Sequence, residues 1–346
     1  MKALVYHGVG EKRWEDKPDP TLQQPTDAIV RILHTTICGT DLHILKGDVP
    51  TVTPGRTLGH EGVGVVEAVG EAVSNFRPGD RVLISCITSC GRCPACKKQF
   101  YSHCSDGGWI LGHLIDGTQA EKVRIPHADQ SLYAIPPSIT NEEVLVMLSD
   151  VFPTSFEIGV LNGHVRPGDT VAIVGAGPIG MGALLGCRLF SPSRLIMVDV
   201  DDNRLESARQ YGATDGVNPR THNAVDQIMG LTDGKGVDVA IEAVGVPETF
   251  DICQRIVTPG GHIAVIGVFG TSVNLEMQRL WSANITLTTG LVNTNTIASL
   301  LRMVQSGMLN PGPLITHRFH LQEMMEAYRV FAHASQERAL KLLISA

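Results

Sequence analysis

Aromatic side chains are scarce in this chain: Phe, Tyr and Trp together make up 5% of its 346 residues. That leaves little material for stacking platforms of the kind that hold single-stranded nucleic acid. Positive charge is not in excess either. Lys and Arg number 28 against 35 Asp and Glu, a net charge of −7, which argues against a protein that binds nucleic acid mainly by charge. No window approaches the roughly eighteen uninterrupted apolar residues of a membrane span. The amino-terminal residues turn charged early, at Glu11-Lys12-Arg13, with no apolar region leading to a small-residue cleavage site. A cytoplasmic chain is therefore expected, in which thiols stay reduced. What is present is a hydrophobic fraction of 43%, 36 glycines, 19 prolines and eight cysteines. The length fits two domains. Five of the cysteines fall between Cys86 and Cys104.

The first 150 residues read as mostly β. Runs at 2–7, 28–33, 62–69, 81–85 and 120–125 are punctuated by Pro54-Gly55 and Pro78-Gly79-Asp80, which points to an antiparallel, barrel-like domain. Helical periodicity is weak before 141–148. The texture then changes. An apolar run at 170–174 has the character of a buried parallel strand. Helical spacing follows at 175–189, then a strand at 195–198 and a helix at 203–211 closed by Gly212. Further alternation is expected as a strand at 237–241, a helix at 249–257, a turn at Pro259-Gly260-Gly261, and strands at 262–266 and 285–289. Repeated β–α–β units imply an α/β, doubly wound parallel sheet with right-handed crossovers. Helices at 297–306 and 322–331 and a strand at 339–344 complete the chain.

Gly175-Ala176-Gly177-Pro178-Ile179-Gly180 fits G-x-G-x-x-G between an apolar strand and a helix, with Pro178 where a first helical turn tolerates proline. The first glycine allows the tight turn, the second lets backbone approach a pyrophosphate, and the third lets helix and sheet pack closely. Helix N–H groups then face the phosphates. Asp199 ends the next strand, where a carboxylate accepts hydrogen bonds from ribose hydroxyls and repels a 2′-phosphate. This favours NAD over NADP, with Arg204 close by as a complication. The plain alternative is a packing turn followed by a helix-capping acid.

Cys90, Cys93, Cys96 and Cys104 form C-x2-C-x2-C-x7-C. Four thiolates this close can complete a tetrahedron around Zn²⁺ and leave no open position, so the zinc is structural. An iron–sulfur cluster and free thiols are the alternatives. Cys86 reads as a core thiol at a strand end, and Cys187 and Cys253 as small apolar residues on helices. A separate set lies in Cys38-Gly39-Thr40-Asp41-Leu42-His43 and Gly59-His60-Glu61-Gly62. A thiolate, an imidazole and one more ligand would leave zinc an open fourth position. Asp150, Glu61 and Asp41 are all available as the third ligand.

These motifs together resemble the zinc-dependent medium-chain alcohol dehydrogenases, of bacterial type, and the resemblance covers essentially the whole chain. It implies a GroES-like catalytic domain over 1–152, a Rossmann domain over 153–293, and a return to the catalytic domain over 294–346. It also implies that Cys38, His60 and Asp150 hold a catalytic zinc, with Glu61 an alternate or transient ligand. An aspartate at 150, where many members have a second cysteine, resembles bacterial secondary-alcohol dehydrogenases. Two zinc ions per subunit and NAD are the cofactors expected.

Thr40 is expected to contact substrate and accept its proton, with His43 further along a relay. Trp109 is a candidate pocket wall. Thr154, Val265-Ile266-Gly267-Val268 and Gly290-Leu291-Val292 resemble segments that meet the nicotinamide, and Lys341 a position that pairs with the pyrophosphate. The expected substrates are small primary or secondary alcohols and their aldehydes or ketones. Polyol or amino-alcohol oxidation, and a catalytically silent zinc- and nucleotide-binding scaffold, are the alternatives. Retention of Cys38, His60, Asp150, Thr40 and His43 together argues against a scaffold. By family precedent the subunits form a homotetramer, or otherwise a dimer, through Rossmann sheet edges.

Overall fold

Strand β1 (Lys2–Gly8) buries four consecutive residues, Ala3 to Tyr6, because it pairs with β2 (Glu11–Asp16) on one side and the short β4 (Arg56–Thr57) on the other. Two long strands, β3 (Ala28–Thr35) and β5 (Gly62–Val69), run antiparallel with Thr35 opposite Gly62. Next to β5 lies β6 (Arg81–Ile84), followed by β8 (Leu132–Ala134), while β7 (Lys122–Ile125) pairs with β3. This computed structural model describes residues 1–346.

Between β3 and β4 the chain forms helix α1 (Gly39–Lys46), which weak local periodicity had hidden from the sequence. Its first turn is fixed by a polar contact: Asp41 Oδ2 accepts the Cys38 N–H at 2.9 Å. Its end is marked by Gly47 at φ 89°, the left-handed cap that glycine adopts without cost. The 141–148 helix forms as a tighter 3₁₀ segment, Glu143–Leu148.

The chain divides into two units. One comprises residues 1–150 with 293–346, the other residues 151–292. The second holds a six-stranded, wholly parallel sheet. Its strands are β9 (Thr170–Val174), β10 (Arg194–Val198), β11 (Asp215–Val217), β12 (Val237–Glu242), β13 (Val257–Val265) and β14 (Thr286–Thr289). They lie in the order β11-β10-β9-β12-β13-β14, which is the doubly wound order 3-2-1-4-5-6. Residues such as Ala172, Ile196, Ala240 and Ile263 are fully buried, which accounts for unbroken apolar runs in place of alternation. The turn expected at 259–261 instead lies within β13. The pairing register jumps there from Val257 to His262, so the extra residues bulge out of the ladder without ending the strand.

The carboxy-terminal segment returns to the first unit. Strands β15 (Ile315–His320) and β16 (Lys341–Ser345) pair in parallel, and β16 continues the larger sheet through antiparallel pairing of Ile344 with Thr35. The resulting path is β15-β16-β3-β5-β6-β8. Ala28, Val30, Ile32, Val66, Val82, Ile84 and Val123 fill one core of this unit. Leu4, Ile37, Ile44, Leu58, Tyr328 and Ile344 fill another. No helix of the structure is long and apolar enough to cross a membrane.

Candidate active site and metal centres

Two clusters of metal-ligating side chains emerge in the first unit. In one, single ligand atoms from Cys38, His60, Glu61 and Asp150 all lie within 4.8 Å of one another. Cys38 precedes α1, His60 and Glu61 precede β5, and Asp150 follows the 3₁₀ segment. The pairing of Thr35 with Gly62 brings the first two loops together. Ser149 adds the third, since its hydroxyl accepts the Gly62 N–H at 3.0 Å and donates to the Gly62 carbonyl at 3.3 Å.

Asp150 Oδ2 stands 3.7 Å from Cys38 Sγ and 3.5 Å from His60 Nε2. Burial disfavours charge on His60, yet neighbouring Asp150 and Cys38 hold its imidazole well above the usual range. Negative donors that stabilise imidazolium here also suit a divalent cation, and one thiolate, one imidazole and one carboxylate form a catalytic zinc set. Asp41, the other acid considered, serves α1 instead. It also accepts a bond from Gln119 Nε2, and Gln119 in turn receives the Tyr328 hydroxyl.

Glu61 joins the cluster through its position but is also held from behind. Its Oε1 lies 2.5 Å from Lys341 Nζ, whereas its Oε2 is buried without a hydrogen-bond partner. Burial pushes the Glu61 carboxyl up to about 7, against the opposing pull of Lys341. Lys341, expected beside a pyrophosphate, is therefore not a free charge. Its ammonium bonds Glu61 and the Ile37 carbonyl inside the protein, because β16 delivers it next to the end of β3.

The second cluster is Cys90, Cys93, Cys96 and Cys104, again with ligand atoms within 4.8 Å of one another. Cys93 caps the single helical turn Pro94–Lys97. Its sulfur accepts the Cys96 N–H, and Cys104 Sγ accepts the N–H groups of Cys90 and Asp106. Backbone donors aimed at Cys93 favour its thiolate and pull its pKa down to about 5. A closed four-sulfur cage with backbone N–H donors suits a structural zinc.

Thr40 sits in the first turn of α1 with Oγ1 3.6 Å from Cys38 Sγ. His43, one turn later, has its side chain 46% exposed and Nδ1 2.8 Å from Asp48 Oδ2. Trp109 packs on His113 with ring centroids 4.4 Å apart. Cys86 is buried, as expected of a core thiol at a strand end, and its sulfur also lies 3.6 Å from Asp150 Oδ1.

In the second unit, the glycine-rich turn leads from β9 into the helix Pro178–Arg188. A Cβ on Gly180 would stand 1.8 Å from the Gly175 carbonyl, so that position admits only glycine, whereas one on Gly177 would meet nothing nearer than Arg204 at 4.0 Å. The first contact is a packing requirement, and the second leaves open space beside the helix start. Asp199 Oδ2 accepts the Ala176 N–H at 2.7 Å, tying the acid to the turn. Arg204 Nη1 is 3.9 Å from the same oxygen. The helix cap nearby is Asp201, not Asp199.

Thr154 lies in this unit at the end of the short helix Val151–Thr154. Val265 and Ile266 are buried, and Val268 and Leu291 are exposed. Glu242 belongs to none of the sequence motifs. This fully buried acid ends β12 and accepts bonds from the N–H groups of Val244 and Gly245 and the hydroxyl of Thr249. An acid closing the apolar run 239–241 was the available signal.

Two family models match the chain: the alcohol dehydrogenase GroES-like domain over residues 24–137, and the zinc-binding dehydrogenase model over residues 178–306. An alcohol dehydrogenase of Cupriavidus necator is 38% identical, with 99% of this chain and 98% of that protein covered. The chain belongs to the zinc-type medium-chain alcohol dehydrogenases. An NADP-dependent isopropanol dehydrogenase of Thermoanaerobacter brockii is 35% identical, with 92% of each chain covered. Among solved structures, a zinc-dependent alcohol dehydrogenase 2 from Streptococcus pneumonia in its apo form superposes with a TM-score of 0.95 at 53% identity. That match covers 100% of this chain and 98% of the other. Family membership supplies the two-part architecture and alcohol oxidoreduction as the activity.

Proposed function

We propose that this enzyme transfers hydride reversibly between a small primary or secondary alcohol and NAD, using a catalytic zinc held by Cys38, His60 and Asp150. The observation that carries the reading is the convergence of those three ligands, with Glu61, from separate loops. Zinc there supplies Lewis acidity toward an alcohol or carbonyl oxygen, and the nicotinamide supplies the hydride acceptor. Glu61, held by Lys341, serves as an alternate ligand.

Thr40 takes the alcohol proton through its hydroxyl, as its place beside Cys38 supports. His43 passes the proton outward, which its half-exposed ring and its partner Asp48 favour. Trp109 walls the substrate space. The cysteine cage holds a second, structural zinc.

The turn Gly175–Gly180 receives the pyrophosphate at the helix start, with Gly177 leaving room for it. Asp199 receives the adenosine ribose and favours NAD, because a 2′-phosphate would meet its carboxylate. Arg204 is already drawn toward that carboxylate, which weakens it as a phosphate ligand. Thr154, Val265 to Val268 and Gly290 to Val292 serve the nicotinamide half. The enzyme acts in the cytoplasm as a homotetramer or a dimer.

Initial rates across primary, secondary and polyhydric alcohols, with NAD and NADP in parallel, test this reading. Faster turnover of a simple alcohol with NAD is expected. A clear NADP preference overturns the Asp199 assignment, and no turnover on any alcohol by zinc-loaded protein overturns the enzymatic reading.

A further inference from the structure

Cys86 follows the end of β6 by two residues and is buried at the first of the two clusters. The two oxygens of Asp150 divide their neighbours. Oδ2 faces Cys38 Sγ and His60 Nε2, whereas Oδ1 faces Cys86 Sγ at 3.6 Å, a usual separation for a thiol donor. The backbone makes a second link, because the Cys86 N–H donates to the Ser149 carbonyl at 3.1 Å. Ser149 in turn bonds both backbone groups of Gly62, two residues beyond His60. Cys86 thus grips the Ser149–Asp150 dipeptide by both its peptide and its side chain. It is not one of the four donors that lie within 4.8 Å of one another.

We propose that Cys86 is a positioning residue for the metal-binding carboxylate, its thiol holding Asp150 Oδ1 so that Oδ2 alone is presented beside Cys38 and His60. The inference rests on the reading of Cys38, His60 and Asp150 as metal ligands. An aspartate carboxylate, free to turn about both its side-chain bonds, can swing away or bind through both oxygens. A donor on one oxygen opposes both movements, which is how partners of metal ligands govern affinity and geometry. A thiol is a weak donor. The expected effect is therefore at the lower end of the range for such partners, about tenfold in metal retention.

The test uses the full chain loaded with cobalt(II), comparing wild type, Cys86→Ala and Cys86→Ser. Wild type should take up two cobalt ions per chain, one of them absent from Cys38→Ala. That ion should leave Cys86→Ala to a chelator about tenfold faster than it leaves wild type, with shifted visible bands, while the ion of the cysteine cage is unaffected. Cys86→Ser, whose hydroxyl also donates, should restore the slow rate.

Equal rates in wild type and Cys86→Ala, both holding two ions, overturn the inference alone. So does a serine variant that behaves as alanine, since packing would then be the cause. Loss of sulfur-to-cobalt charge-transfer intensity in Cys86→Ala overturns it in favour of direct ligation. A wild-type chain that takes up only the cage ion removes the site reading and the inference with it.

Discussion

Lys341 Nζ and Glu61 Oε1 lie 2.5 Å apart, with each side chain only 2% exposed. The pair joins the last strand of the chain to the loop that carries His60. Removing one member leaves the other charge buried without compensation, which is far more costly than losing a surface pair. Lys341→Met should therefore destabilise the protein by about 3 kcal/mol. Thermal melts would register this as a lower midpoint, and the double variant Lys341→Met with Glu61→Gln should recover part of the loss. An unchanged midpoint in the single variant would show the ion pair to be dispensable.

Gly177 and Gly180 of the glycine-rich turn should separate folding from the proposed cofactor binding. Gly180→Ala forces a Cβ into the Gly175 carbonyl and should cost about 2–3 kcal/mol of stability. Gly177→Ala has space for its methyl and should fold within about 1 kcal/mol of wild type. It should nonetheless bind NAD about tenfold more weakly, a loss of about 1.4 kcal/mol. Melting curves and cofactor titrations of both variants check the separation.

Much of the site was legible because its chemistry is written in short motifs. The glycines at 175, 177 and 180 and the four spaced cysteines each lie within one stretch of chain. The parallel sheet was legible for a related reason, since strands buried on both faces become continuous apolar runs. Spacing left Asp150, Glu61 and Asp41 all available as a third ligand, because Asp150 joins the cluster through tertiary contacts of Ser149 and Cys86. The contacts of Lys341 and Cys86 were hidden for the same reason. Lys341 meets Glu61 only once β16 pairs with β3, and Cys86 meets Asp150 only once its backbone bonds Ser149. Helix α1 was missed because its short apolar face, Ile44 and Leu45, gives little periodic signal. Proline and two glycines mark turns and bulges alike, so the pattern at 259–261 does not distinguish a turn from the bulge in β13.

His262 offers a pH-dependent test away from the metal clusters. Its ring packs on His164 with centroids 4.9 Å apart, and its Nδ1 is buried without a partner. Burial holds its pKa below 6.5, with His164 and Arg166 acting the same way and Asp169 opposing them. The unfolded chain then binds the proton more readily than the folded one, so stability falls as pH drops below about 6.5. His262→Asn should flatten that acid-side slope in denaturant titrations at successive pH values. A slope identical to wild type would remove His262 as its source.

Removal of cage ligands should differ in kind from removal of catalytic ones. Cys104→Ser should lose the cage metal and lower thermal stability, because a closed zinc cage contributes folding energy outright. Cys38→Ser should lose the other metal and abolish turnover while leaving the cage loaded. Metal analysis of the two purified variants, alongside their melting curves, distinguishes the roles. Loss of the same metal from both would contradict the assignment of two separate sites.

Zinc titration of the metal-stripped enzyme, with NAD reduction by a short secondary alcohol followed at each addition, tests the central reading most directly. Turnover should rise only as the site of Cys38, His60 and Asp150 fills, reach its limit at two zinc ions per chain, and be absent from Cys38→Ser at every addition. Full turnover by the stripped protein, or by a Cys38→Ser variant lacking that ion, would contradict it.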